Sequence, residues 1–168
     1  MRASDLERLY DYSCWANQKL FGTLAQLTSA QFTQPVGGSY ESIRNTLVHV
    51  LSAEWGWLDR CGGPPRGERL KGENYPTLES LKEAWSQVEQ YMRGFLSGLE
   101  DQDLARPIEF ALGGGPTHSV PLEDLMLHAG VHAAHHRGQV ALLMRMLGYT
   151  PGNFDLVIYA IEKPAAAE

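Results

Sequence analysis

The sequence predicts an all-α protein, a four-helix bundle with a long loop between its second and third helices and at most a short hairpin before the fourth. Three observations carry this expectation. Four long segments place apolar residues at three- and four-residue steps, the period of a helix that turns one face to a core. Stretches rich in Gly and Pro separate these segments, and no internal repeat is present. The length of 168 residues suits one domain with enough interior to do without disulfides. The expected domain is 1–163, with 164–168 as a frayed tail.

The first helix opens at Ser4-Asp5-Leu6-Glu7, a capping-box pattern in which Ser4 and Glu7 satisfy free backbone donors. It is expected to run to about Leu27, with Leu6, Leu9, Tyr10, Ser13, Ala16, Asn17, Leu20 and Leu24 along one stripe. Gln34-Pro35-Val36-Gly37-Gly38 breaks the pattern. Ser39 is then a candidate cap for a second helix through Ile43, Leu47, Val50, Leu51 and Leu58, ended by Gly62-Gly63-Pro64-Pro65. From Gly62 to Pro76 the chain reads as a surface loop, because each flanking helix still needs a partner. Thr77 caps the third helix, whose apolar face runs from Leu78 through Leu81, Trp85, Val88, Met92 and Phe95 to Leu99, and Asp101 to Asp103 closes it. Ile108 to Leu112 alternates, Gly113-Gly114-Gly115-Pro116 turns, and Thr117 to Val120 returns, the elements of a short hairpin. Pro121 suits the first turn of the fourth helix, Glu123 and Asp124 complement its positive end, and Gly148 stops it after Leu147. Asp155 to Ile161 reads as a last helical turn or a packed strand.

Composition excludes several function classes. With 14 basic and 20 acidic residues the net charge is -6, and without a long basic run the chain is not expected to bind nucleic acid. Cys14 and Cys61 are too few and too far apart for a disulfide framework or an all-cysteine zinc site, and are expected to stay reduced. The amino terminus carries acids where a secretory leader would be apolar, and no apolar run approaches the ~20 residues of a membrane span. A soluble, cytoplasmic protein without membrane contact is the expectation.

Five of the six histidines fall between His118 and His136, four of them in the stretch His128 to His136. On a helix, His132 and His136 lie one turn apart and aim at one point, and neutral imidazole is a common ligand for divalent transition metals. At about 100° per residue, His136 falls inside the apolar stripe of the fourth helix, His132 about 40° nearer its edge, and His128 and His135 at or beyond the rim. A helical pair of this kind with nothing nearby is more often a solvated or hydrogen-bonded feature, but an apolar setting makes an unsatisfied imidazole costly and coordination relieves it. His49 is the only histidine outside the cluster that sits in an expected helix. It points about 120° from the apolar stripe of that helix, toward Ser42, Ala53 and Gly56. That face suits solvent, or the close approach of a neighbouring helix.

Other residues receive bland readings. Glu54 points away from His49 and reads as a capping or salt-bridging acid rather than a catalytic one. His128 reads as a rim residue, and Arg137 as a partner in a structural ion pair rather than an anchor for an anion. Gln139 reads as a packing or interhelical hydrogen-bonding group. Cys14 and Cys61 lack an activating motif. The four tryptophans, Trp15, Trp55, Trp57 and Trp85, suit the core or a dimer interface. No catalytic residue is identified.

Four segments in order, Tyr12-Ser13-Cys14-Trp15-Ala16-Asn17, His49 to Trp55, His132-Ala-Ala-His135-His136-Arg137-Gly138-Gln139, and Gly148 to Leu156, resemble the DinB family, which takes in the YfiT-like bundles. Val131 stands where the family commonly has Asn, a change that spares the ligands but alters a neighbouring hydrogen bond. The resemblance implies a divalent metal, zinc or nickel, held by one histidine of the second helix and two of the fourth, here His49, His132 and His136. It also implies a homodimer, and relatives that are thiol transferases or isomerases. Three protein ligands leave a position open for water or substrate, as in catalytic sites. The expected function is therefore a metal-dependent enzyme on a small molecule, with transfer from a small thiol ahead of hydrolysis. The competing reading is a noncatalytic, stress-related metal-binding bundle or dimeric scaffold.

Overall fold

Helix α1 (Ala3–Leu24) starts one residue before the expected box, and its first amides are satisfied differently. Asp5 accepts from the Arg2 amide at 2.8 Å, and Asp101, distant in sequence, accepts from the Ala3 amide at 2.7 Å. The Ser4 to Glu7 box is thus replaced by two aspartates, one of which no local pattern could supply. The chain turns through Ala25 to Leu27, and Thr28 caps a short helix that the apolar pattern did not predict, α2 (Ser29–Thr33), by accepting from the Gln31 amide at 3.2 Å. Its single buried residue, Phe32, is what fastens it to the core. The computed structural model describes residues 1–163; the expected frayed tail, 164–168, lies outside the described residues.

Helix α3 (Ile43–Arg60) is capped by Ser42, not Ser39: the Ser42 hydroxyl accepts from the Asn45 amide at 3.1 Å. A tight reversal causes the shift. The Glu41 carbonyl receives the amides of Val36 and Gly37 at 2.7 and 3.1 Å, which keeps residues 36–41 folded back on themselves until Ser42. Thr77 caps α4 (Leu78–Leu96) as expected, accepting from the Ser80 amide at 3.1 Å. Asp101–Asp103 follows as a single 3-10 turn.

Strands β1 (Pro107–Ala111) and β2 (Thr117–Pro121) form the antiparallel hairpin, with Ile108 opposite Val120 and Phe110 opposite His118. Pro121 ends β2 and occupies the N-cap of α5 (Leu122–Met146) rather than its first turn. The free amides of Leu122 and Glu123 are accepted by the carbonyls of Arg106 and Leu104 at 2.9 and 3.1 Å, so the hairpin itself caps the helix. Gly148 follows α5 with φ +86°, the left-handed conformation that ends a helix at low cost only for glycine. The segment left open as helix or strand is a helix, α6 (Leu156–Glu162), held to α1 by Lys19–Glu162 at 2.6 Å and by the Trp15 indole N–H to Glu162 at 3.1 Å.

The long helices α1, α3, α4 and α5 form an all-α bundle with a small hairpin between the last two. One apolar cluster joins Leu20, Leu24, Ile43, Leu47, Leu51, Leu81, Val88, Val140 and Met144, all but closed to solvent. A second lies toward the hairpin, around Leu58, Met92, Ile108, Leu122 and Met126. Between α1 and α5 the Leu9 side chain packs so closely on Gly130 that a Cβ there would lie 2.9 Å from Leu9 Cδ2. Among the described residues no helix is long and apolar enough to cross a membrane. Cys14 and Cys61 are unpaired and buried; burial pushes the Cys14 thiol far up and the Cys61 thiol to about 11, which makes both poor nucleophiles.

Candidate metal centre

Three imidazoles converge where α3 faces α5. His132 and His136 stand one turn apart on α5, and His49, midway along α3, meets them across the interface. His132 Nε2 lies 3.0 Å from His49 Nε2 and 3.1 Å from His136 Nε2. His136 is 6 % exposed, His49 and His132 half-buried, and His128 and His135 exposed, the order read from the helical wheel. On the small-residue face, His49 meets α5, while Ala53 borders an open cleft and Gly56 faces the side chains of Arg60 and Arg66.

The electrostatics keep these rings neutral. Burial, then the neighbouring His136, lowers the pKa of both His49 and His132 from 6.5 to about 4; Arg69 adds to the effect on His49. His136 is also lowered, chiefly by burial, with its bond to Gln139 opposing. A neutral ring keeps one nitrogen lone pair. In His136 its location is decided by Gln139, whose Oε1 lies 2.7 Å from Nδ1 and can only accept, so the proton sits on Nδ1 and the Nε2 lone pair points into the cluster. Gln139 Nε2 in turn donates to His135 Nε2 at 3.1 Å, which orients the amide.

The donor set fits a divalent cation. The three ligand atoms lie within 4.8 Å of one another. A tetrahedral ion about 2.1 Å from each nitrogen needs them about 3.4 Å apart, a few tenths of an ångström more than the two shorter separations. Without a cation, His132 Nε2 faces two other ring nitrogens at once, although it has only one proton or one lone pair to offer. The arrangement thus brings three ring nitrogens together at one point, and their own hydrogen bonds cannot satisfy all of them.

Two residues that the sequence reading missed complete the surroundings. Tyr40, in the folded-back segment before α3, stacks on His49 with ring centroids 4.1 Å apart and places its hydroxyl 3.0 Å from His49 Nε2. Arg69, in the loop after α3, donates to His49 Nδ1 at 3.3 Å. A guanidinium has no lone pair to offer, so in this arrangement Nδ1 is the acceptor and Nε2 of neutral His49 carries the proton. Ligation through Nε2 would move that proton to Nδ1 and displace Arg69. Neither residue lies in a periodic pattern, so no sequence signal marks them. Gln139, three residues after His136, shares its face, a signal that its reading as a packing or interhelical group does not use.

Other expectations are corrected. Among the described residues Glu54 neither caps a helix nor forms a salt bridge; it is 5 % exposed and accepts the Tyr10 hydroxyl at 2.7 Å, and burial raises its carboxyl to about 7. Arg137 is buried, and in place of the expected ion pair its hydrogen bonds run to neutral oxygens, Ser13 Oγ at 2.9 Å and Asn17 Oδ1 at 3.1 Å, with its guanidinium over the Tyr12 ring. The Tyr12 to Asn17 motif thereby joins α1 to the helix that bears His132 and His136. Gln139 bonds within α5 and not between helices.

The histidine cluster opens onto a cleft of about 310 Å³ that reaches His49, His132, Trp57 and three arginines. Fold and site together define a helical bundle that carries a three-histidine cluster capable of coordinating a divalent metal, beside an open cleft. The DinB family model matches residues 1–165, and the chain belongs to the DinB family. It is 24% identical to Protein DinB of Bacillus subtilis (strain 168) over 159 residues, covering 90% of this chain and 91% of that protein. It is also 21% identical to the uncharacterized protein YizA of the same organism over 150 residues, 89% of this chain and 92% of that one. Among solved structures, a DinB-like protein from Bacillus cereus ATCC 10987 superposes with a TM-score of 0.74 at 21% identity, over 90% of this chain and 97% of the other. That likeness concerns the fold.

Proposed function

We propose that His49, His132 and His136 hold one divalent transition ion, zinc or nickel, and that the protein uses it as an enzyme on a small molecule, with a small thiol as the favoured cosubstrate. The observation that carries this reading is the convergence of three neutral imidazoles at the mouth of an open cleft. Burial of the cluster under side chains would instead have favoured a noncatalytic metal carrier. A bound divalent ion would act as a Lewis acid, lowering the pKa of a coordinated thiol so that its proton is released to solvent, or polarising an electrophile.

The chain's own residues favour thiol transfer over hydrolysis. Hydrolysis calls for a general base beside the cluster. Among the described residues no carboxylate lines the cleft that reaches His132, and Glu54 is turned into the interior toward Tyr10. The cleft wall is basic, a setting that stabilises a thiolate or an anionic substrate. Tyr40 stacks on His49, and the two residues border a second cleft. Gln139 holds the His136 proton on Nδ1.

The test is metal content. Purified protein is expected to carry close to one ion per chain and the His136→Ala variant none, by elemental analysis; stoichiometric metal in the variant would overturn the assignment. Thermal-shift screening of the metal-loaded protein against small thiols and electrophiles then reports selective stabilisation by ligands that bind the folded state.

A homodimer belongs to the same reading. Val131, Leu142 and Met146 on α5 are 65%, 58% and 58% exposed and fall within about 60° of one another around the helix. An apolar stripe of this kind is suited to pairing with its own copy.

A further inference from the structure

In a chain with a net charge of -6, the cleft beside the histidines gathers three arginines, Arg60, Arg66 and Arg69, and no acid. Arg60 comes from the last turn of α3, the other two from the loop that follows. Gly56 makes room for two of them. A Cβ built there would lie 2.7 Å from Arg66 Nη1 and 3.2 Å from Arg60 Nη1, so both guanidiniums converge over the same stretch of α3. Arg60 is anchored by the Gly56 carbonyl at 2.7 Å and by the Trp57 ring, and Arg66 by the Ser52 carbonyl at 2.8 Å.

Their partners are uncharged. Among the described residues no carboxylate forms an ion pair with Arg60, Arg66 or Arg69, whereas Arg93 on α4 takes both Asp11 and Glu89. Asp59, the adjacent acid, accepts the Arg66 backbone amide at 3.2 Å instead of a guanidinium. Arg66 Nε is buried with no hydrogen-bond partner, and Arg66 is pushed below its usual pKa chiefly by burial, with Arg60 and Arg69 adding repulsion and Asp59 opposing. Like charges held this closely repel, and a multiply charged anion between them would turn that cost into charge-assisted hydrogen bonds. Trp57 and Leu112 add an apolar flank, and His49 and His132 form the far end.

We infer that this cleft is the subsite for an anionic small molecule, one bearing carboxylate or phosphate groups, gripped by Arg60, Arg66 and Arg69 so that its other end reaches the histidine cluster. The inference rests on the proposed metal centre only for which end of the ligand reacts; the anion grip needs no ion.

The experiment titrates the full chain, metal-loaded and chelator-treated, with succinate, pyrophosphate and uncharged succinamide, following heat and the fluorescence of Trp57 against a Trp57→Phe control. At least one anion is expected to bind in both states, and its identity separates the carboxylate from the phosphate source. The Arg60→Gln/Arg69→Gln double variant, altered only at exposed positions, should bind at least about tenfold more weakly in the chelator-treated protein, where the contact of Arg69 with His49 cannot act through an ion. Gly56→Ala, which displaces both guanidiniums while favouring the helix, should weaken binding without loss of Tm. Equal affinity in the double variant, succinamide binding as well as succinate, or no anion binding up to about 10 mM would each overturn the subsite. Stoichiometric metal in His136→Ala would overturn the metal assignment alone and leave the subsite standing.

Discussion

His136 shows how one side chain decides the chemistry of another. Its Nδ1 proton is directed at Gln139 Oε1, so the lone pair needed for ligation is already in place on Nε2. Removing that acceptor frees the ring to change tautomer and to rotate. Gln139→Leu is therefore expected to weaken metal binding by about 10- to 100-fold while the protein stays folded, the usual effect of losing a group that orients a ligand. Competition with a chromogenic chelator measures it, and an unchanged affinity would show that Gln139 has no orienting role. The i, i+3 relation of His136 and Gln139 is visible in the sequence, as is the inward direction of the pair. Tyr40 and Arg69 are not: one reaches His49 because residues 36–41 fold back, the other because a loop crosses the cleft.

At the scale of elements, helix caps determine where α3 and α4 begin and so the height at which His49 meets α5. Ser42 and Thr77 each accept an amide from the first turn. Ser42→Ala and Thr77→Ala should each cost about 1 kcal/mol in denaturant unfolding, and Ser39→Ala close to nothing. A larger loss at Ser39 than at Ser42 would refute the observed start of α3. Ser39 and Ser42 offer the same cap chemistry, and nothing local chooses between them. The choice falls to the reversal at Glu41, whose φ of 65° is uncommon for a residue with a side chain. Thr77, with no such reversal before it, was readable. The hairpin was read from alternation and a Gly-Pro turn, but its role in receiving the first amides of α5 depends on Leu104 and Arg106 standing beside Leu122 in space.

For the whole molecule, buried titratable groups set a dependence of stability on pH. In metal-free protein, His49 and His132 have pKa values of about 4, below the unfolded 6.5. Their contribution is complete above pH 6.5 and is lost as pH falls toward 4, because the unfolded chain takes up the protons first. Glu54 acts in the opposite direction. Its value of about 7 lies above the unfolded 4.5, so its contribution is complete below pH 4.5 and is lost as pH rises through 7. Between 4.5 and 6.5 the two effects oppose one another, with His49, His132 and the likewise lowered His136 against one carboxyl. Melting temperatures of chelator-treated protein should fall from pH 6.5 to 4, and more steeply in Glu54→Gln, where the opposing group is gone. Parallel profiles for the two proteins would refute the raised Glu54 pKa. The same scale governs assembly. If the apolar stripe of α5 pairs with a second copy, Leu142→Lys should convert a dimer into a monomer by light scattering with the metal retained, and a wild-type monomer would exclude the pairing.

The sequence by itself determined what depends on periodicity and local chemistry: the four long helices and their order, the inward aim of His132 and His136, the rim positions of His128 and His135, and the Thr77 cap. These follow from 3.6 residues per turn and from backbone donors that each helix start must satisfy. Tertiary structure alone decided what depends on bringing distant segments together. It set His49 Nε2 beside His132 Nε2, laid Tyr40 on His49, buried Glu54 against Tyr10, and collected three arginines over Gly56. The physical reason is that helix periodicity gives the direction of a side chain relative to its own axis, whereas its partners depend on how the axes pack and how the intervening loops fold back.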